Sequence, residues 1–281
     1  MTTAVTGATG HFGALVVDGL IERGVAAGEI VAIVRDAAKA QVLAARGVQV
    51  RVAEYGDRDA LKVALDGVDK LLLVSGSEVG QRIAQHTNVI EAAESAGVSF
   101  IAYTSILAAD TSGVSLAAEH LATEQRLASS SIPSVLLRNG WYWENYQGPL
   151  QQVADTGVLL GSAGDGRLAG ASRSDYAAAA VAVLVSEDQA GKIYELGGDE
   201  RLTYTELAGV MAQVMGNPVE YQDVPEATYR EILQGAGLPD FVAEMLASAD
   251  AGIARGELDT ESGDLQKLIG RPSTPVATVL S

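Results

Sequence analysis

The stretch Thr3-Ala4-Val5-Thr6-Gly7-Ala8-Thr9-Gly10-His11-Phe12-Gly13 decides the fold. A short strand runs into a turn whose glycines recur every third position. A helix-periodic segment follows at once to about residue 23, with Leu15, Val16, Leu20 and Ile21 on one face. Gly7 lets the chain turn sharply out of the strand. Gly10 leaves no side chain in the way of an approaching phosphate, and Gly13 lets the helix pack tightly on the sheet. The helix start then presents unpaired backbone N–H groups and a positive dipole end to an anion. Thr6, Gly7, Ala8, Thr9, Gly10, His11, Phe12 and Gly13 are therefore read as the cradle of a dinucleotide pyrophosphate, His11 contributing its backbone. A tight turn without a ligand is disfavoured, because the glycines follow a first strand and open a β-α-β unit.

Working outward, apolar strands are expected at 30–34, 48–52, 70–74 and 99–103, with helices at 37–46, 60–65 and 80–96 between them. Most of these strands are continuously apolar, as strands buried on both faces of a parallel sheet must be. The second half is less regular. Helices are expected at 116–129, 174–186, 204–215, 227–235 and 240–255, and strands at 134–137, 192–196 and, short, at 219–221. The fold class is α/β: a Rossmann-type doubly wound parallel sheet with a smaller, mostly helical C-terminal lobe. Residues 1–155 form the dinucleotide-binding domain. Residues 156–281 supply the remaining sheet elements and a substrate-side lobe, intertwined with the first into effectively one unit.

Composition removes several alternatives. Among 281 residues, 48% are apolar and only 5% aromatic, so the chain folds around an aliphatic core. The absence of cysteine excludes disulfides and thiolate chemistry, and three scattered histidines give no metal-ligand spacing. A net charge of −17 argues against nucleic acid as a partner. No signal peptide or membrane span is evident, so a cytoplasmic protein with no membrane partner is expected. The oligomeric state is open, a homodimer included.

Arg35 ends the second strand, where NADP-binding sheets carry a base for the 2′-phosphate; Asp36 beside it leaves NADH open. Proton transfer by a Tyr-x-x-x-Lys pair is absent, since no tyrosine stands four residues before Lys39, Lys62, Lys70, Lys192 or Lys267. His120, with Glu124 one turn on to raise its pKa, is the candidate proton donor; a helix-surface or packing histidine is the stronger alternative. Trp141, Tyr142, Trp143 and Tyr146 form an aromatic cluster that either stacks a flat apolar substrate or packs sheet against lobe. Asn139 either bonds a carboxamide or quinone oxygen or caps a turn.

The TGATGxxG turn, the Val34-Arg35-Asp36 strand end and Phe100–Ser105 resemble the NmrA-like, atypical short-chain dehydrogenases. With Ala109-Asp110-Thr111-Ser112, Glu119-His120, Leu137-Arg138-Asn139-Gly140-Trp141-Tyr142, Glu144-Asn145-Tyr146 and Arg173-Ser174-Asp175-Tyr176, the chain is similar to the bacterial type 2 NAD(P)H:quinone oxidoreductases as far as Gly270. The resemblance implies an NADPH-dependent reductase of quinones. It implies that Ser75, Gly76, Ser77, Tyr103, Thr104, Ser105, Asn139, Gly140, Trp141 and Tyr142 line the ribose–nicotinamide end, with Arg173 near the cofactor. Quinone reduction asks little acid–base help, which suits a chain without the tyrosine–lysine pair. The alternatives are a dinucleotide sensor of the NmrA type, without chemistry, and a reductase of another flat acceptor such as a triphenylmethane dye.

Overall fold

A computed structural model describes residues 1–281. The first half alternates as its apolar runs dictate. β1 (Thr3–Thr6), α1 (His11–Glu22), β2 (Ile30–Val34), α2 (Gln41–Ala45), β3 (Gln49–Val52), α3 (Arg58–Ala64), β4 (Lys70–Leu73), α4 (Arg82–Ala96), β5 (Phe100–Ile106), α5 (Ala117–Ala128) and β6 (Ser134–Asn139) follow in order. α6 (Leu150–Thr156), β7 (Val158–Gly161), α7 (Arg173–Val185) and β8 (Ile193–Leu196) come next. The chain finishes with α8 (Tyr204–Met215), β9 (Glu220–Asp223), α9 (Glu226–Gly235), α10 (Asp240–Ala254), α11 (Asp264–Ile269) and α12 (Val276–Leu280).

Seven strands form one sheet in the order β3-β2-β1-β4-β5-β6-β8. The pairs from β3 through β5 are parallel, Thr3 lying opposite both Ile30 and Lys70. The order reverses at β1 and β4, and doubly wound sheets bind their ligands at such a reversal. Every residue of β1 and β2 is buried, which is why these strands carry no alternation of polar and apolar positions. The stripe that α1 buries is Phe12, Val16, Val17 and Leu20, while the expected Leu15 and Ile21 are only half-buried. The helix foreseen at 37–46 opens as a 3₁₀ turn over Ala37–Ala40, whose start the Asp36 carboxylate caps from the Ala38 amide.

Two compact units emerge. The first comprises Met1–Ser105, Glu119–Arg138 and Tyr176–Tyr194, and the second Ile106–Ala118, Asn139–Asp175 and Glu195–Ser281. In the first, Ile33, Leu61, Leu71, Leu73, Ile90 and Ile101 meet in one core. In the second, Trp143, Leu159, Tyr204, Met211, Ile253, Val276 and Leu280 form another. The second unit carries a separate two-stranded sheet, of which the sequence foresaw only the short strand at 219–221. Gly157, left-handed at φ 71°, stops α6, and β7 then pairs in parallel with β9, Val158 opposite Glu220. A Thr203–Glu206 capping box starts α8. No helix is long and apolar enough to cross a membrane.

Candidate functional site

In the first unit the glycine turn is built as its spacing requires. Gly7 adopts φ 58°, a left-handed conformation that glycine takes without steric cost. Its carbonyl accepts from the Gly10 amide at 2.8 Å, closing the turn. A Cβ on Gly13 would stand 2.4 Å from the Gly7 oxygen, so the helix can approach this closely only with glycine there. Gly10 is the N-cap of α1 and brings no side chain to it, so no side chain covers the amides of its first turn. A Cβ at Gly10 would itself lie 3.1 Å from the Gly7 oxygen.

The turn is tied to the end of β4 by a residue that sequence reasoning missed. The Tyr55 hydroxyl lies 2.5 Å from Thr6 Oγ1 and 2.7 Å from the Val74 carbonyl, and Thr6 Oγ1 accepts from the Val74 amide at 2.9 Å. Burial pushes the Tyr55 phenol well above its ordinary pKa, so it stays a neutral donor.

Next to it, the loop between β4 and α4 is held from several directions. Thr104 Oγ1 accepts from the Ser75 amide at 2.8 Å. The Gly76 amide donates to His86 Nε2 at 3.0 Å, which leaves the imidazole proton on Nδ1, facing Thr123 Oγ1 at 2.9 Å. Burial lowers the His86 pKa to about 3, keeping the ring a neutral acceptor for that amide. Arg82, only 4% exposed, donates to the Gly76 carbonyl and pairs with Glu119 at 2.8 Å. Glu119 also accepts from the Gly80 amide.

Three of the expected site residues have buried side chains. Tyr103 and Ser105 are not lining side chains: both are buried, Tyr103 bonding His120 Nδ1 at 2.7 Å and Ser105 donating to Glu124 at 2.5 Å. Only Thr104, on the opposite face of the strand, turns toward the Ser75 loop. His120 does not share a proton with Glu124, because that carboxylate takes a bidentate pair of bonds from Arg138 at 3.0 and 2.7 Å. His120 is itself buried, and burial drives its pKa well below the ordinary value, which disfavours the imidazolium form that would act as an acid.

Arg35 stands exposed at the end of β2, with Glu78 Oε1 at 3.0 Å from its Nη1. Ser77 lies one residue before that carboxylate, and His11 is exposed at the start of α1.

In the second unit, Asn139 is buried and neither its amide oxygen nor its nitrogen makes a hydrogen bond of acceptable geometry. The Gly140 amide donates to Leu196, and Tyr142 pairs with Ala171 in a parallel bridge. Arg173 stacks its guanidinium 5.1 Å from the Tyr142 ring centre and donates to Asn145. The Glu144 carboxylate accepts from the Arg173 amide at 2.9 Å, capping α7 where negative charge is favoured.

The aromatic cluster divides. Trp143 is 1% exposed and presses its ring so closely on Gly170 that a Cβ there would be 2.8 Å away. Tyr146 sits edge-on to Tyr204, their hydroxyls 2.8 Å apart. Both are buried side chains of the core, the packing alternative of the two that the sequence left open; Trp141 is 8% exposed. Sequence reasoning also missed a buried carboxylate. Asp250 accepts from the Ser162 amide at 3.0 Å and the Tyr204 hydroxyl at 2.6 Å, and burial raises its pKa from 3.8 to about 6.

The profile of the NmrA-like family matches residues 1–262. Quinone oxidoreductase 2 of Escherichia coli is 52% identical over 99% of this chain and 97% of that protein. The crystal structure of the E. coli NADPH-dependent quinone oxidoreductase QOR2 complexed with NADPH superposes with a TM-score of 0.97, covering 99% of this chain and 98% of that one. The triphenylmethane reductase of Citrobacter sp. complexed with NADP(H) is 39% identical with a TM-score of 0.94, covering 99% of each. On its sequence and its fold alike, the chain belongs to the NmrA-like family.

Proposed function

We propose that this chain is an NADPH-dependent oxidoreductase that transfers a hydride to a quinone. The observation that carries it is the cradle at the start of α1: a left-handed Gly7, a Gly13 that tolerates no Cβ, and first-turn amides that no side chain covers. These residues fit a pyrophosphate, whose charge the helix end favours. Arg35 supplies the guanidinium for a 2′-phosphate, and Ser75, Gly76 and Thr104 continue along the same sheet edge. In the second unit by itself, Asn139 is a buried amide with no hydrogen bond of good geometry, a group a ligand oxygen could satisfy. The quinone as acceptor rests on the full-length likeness to the E. coli enzyme.

When bound, NADPH supplies the hydride. The protein's part is to position, to hold and to exclude water. His120 and Tyr103 bond each other in the interior and stay neutral, so the proton that completes the hydroquinone comes from solvent. The cysteine-free, acidic composition supports a cytoplasmic place and argues against nucleic acid as a partner.

The test is stopped-flow absorbance of the reduced nicotinamide with a simple benzoquinone, NADPH and NADH being compared. Oxidation that depends on the quinone and is faster with NADPH supports the assignment. Tight NADPH binding with no oxidation by any quinone or triphenylmethane dye would make the chain a sensor instead.

A further inference from the structure

We propose that Glu78 sets how strongly this chain discriminates between NADPH and NADH, by competing with the 2′-phosphate for the Arg35 guanidinium. This rests on the reading of Arg35 given above. A carboxylate offers a guanidinium two acceptor oxygens, and so does a phosphate; each occupies the same fork of donors. Glu78 already takes one of those donors, its Oε1 3.0 Å from Arg35 Nη1, and sets its charge beside the rest.

Glu78 is not a freely swinging side chain. Its second oxygen accepts from Gln85 Nε2 of α4 at 2.8 Å. The loop that carries it is pinned on one side at Gly76, by His86 and Arg82, and on the other at Gly80, by Glu119. The carboxylate is therefore presented to Arg35 by a braced loop. A 2′-phosphate brings close to two further negative charges to the same cation and must displace or repel Glu78. NADH brings none there and leaves the pair intact. Glu78 thus weakens the phosphorylated cofactor selectively, in a chain whose net charge of −17 already disfavours anions. Both partners are at least half exposed, at 69% and 50%, so water and salt moderate the effect to a several-fold one.

The substitution that isolates this effect is Glu78→Gln, which keeps an oxygen for Gln85 and removes the charge. Calorimetric Kd values for NADPH and NADH, measured on the full chain at low ionic strength, give the ratio Kd(NADH)/Kd(NADPH). That ratio should rise about three- to tenfold in Glu78→Gln, and the rise should shrink as salt is added. It should vanish when Arg35→Ala is also present. A ratio that falls or stays put overturns the proposal, since Glu78 then orients Arg35 or bears on neither cofactor. A rise that survives without Arg35 also overturns it. Failure of the unsubstituted chain to bind either nucleotide would instead sink the dinucleotide site itself. A loss of structure would weaken both nucleotides together and so cannot counterfeit the expected rise.

Discussion

The two units pair buried charge alike, but the second also buries polar groups that the first has no counterpart for. In the first, each buried charge has a built partner: Arg82 with Glu119, and Arg138 with Glu124 in a bidentate pair that Ser105 completes. In the second, Asp175 is likewise paired, with Arg271 at 2.6 Å, but the Ser162 hydroxyl is buried without a partner and Asp250 is bonded only by neutral donors. Desolvation costs the same everywhere, so Asp250, buried without a cation, is the group whose energy is left open to pH.

The largest break in this comparison comes from unpairing the first unit. Arg138→Met leaves Glu124 buried without its cation and should cost about 3–5 kcal/mol in urea unfolding, while adding Glu124→Leu should recover most of the loss. A loss of under about 1 kcal/mol would mean that the pair is not desolvated as described.

Second in size is the pH response of Asp250. Tyr204, Tyr146, Tyr221, Tyr229 and Asp223 surround it electrostatically, and none is a cation. Its folded pKa is raised from 3.8 to about 6, so its contribution is fully present below the lower value and is lost as pH rises through the upper one. Compared with the parent, Asp250→Asn should flatten the fall in stability between about pH 4 and pH 7 by as much as ~3 kcal/mol. Identical pH profiles would exclude an ionising Asp250.

Asn139→Leu probes the buried amide. Its contact with Tyr142 falls short of good hydrogen-bond geometry, so unliganded stability should change by no more than about 1 kcal/mol, whereas NADPH affinity should fall roughly tenfold. A loss of stability instead of affinity would make the amide structural. The smallest effect is expected at His120: His120→Gln should keep kcat with benzoquinone within about twofold, because the ring is a buried neutral partner of Tyr103. A large drop in kcat with a shifted pH profile would return His120 to the chemistry.

The first unit was largely legible because local rules suffice there. β2 reads Ile-Val-Ala-Ile-Val since both its faces are covered, and Gly7, Gly10 and Gly13 are spaced by the turn they make. The second sheet was only half legible. β7 has four residues, Val-Leu-Leu-Gly, and its partner β9, glimpsed at 219–221, is the largely exposed Glu-Tyr-Gln-Asp, so neither carries a clear alternation. At the site, Tyr55, Arg82, Glu119 and His86 were illegible because their partners lie 6 to 49 residues away in the chain, with no period that marks them. The burial of Tyr103 and Ser105 was readable in principle: residues two apart on a strand share a face, and Thr104 takes the other.

The interleaving of the units also bears on biosynthesis. The first unit gathers its last segment only at Tyr194, and β8, the outermost strand of the sheet, ends at Leu196. About two thirds of the polypeptide must therefore leave the ribosome before that sheet can be finished. The nascent chain meanwhile carries an open edge at β6, and strand partners so far apart in the chain assemble slowly. Expression yield should consequently respond to translation speed and to chaperones more than the stability of the finished molecule would suggest.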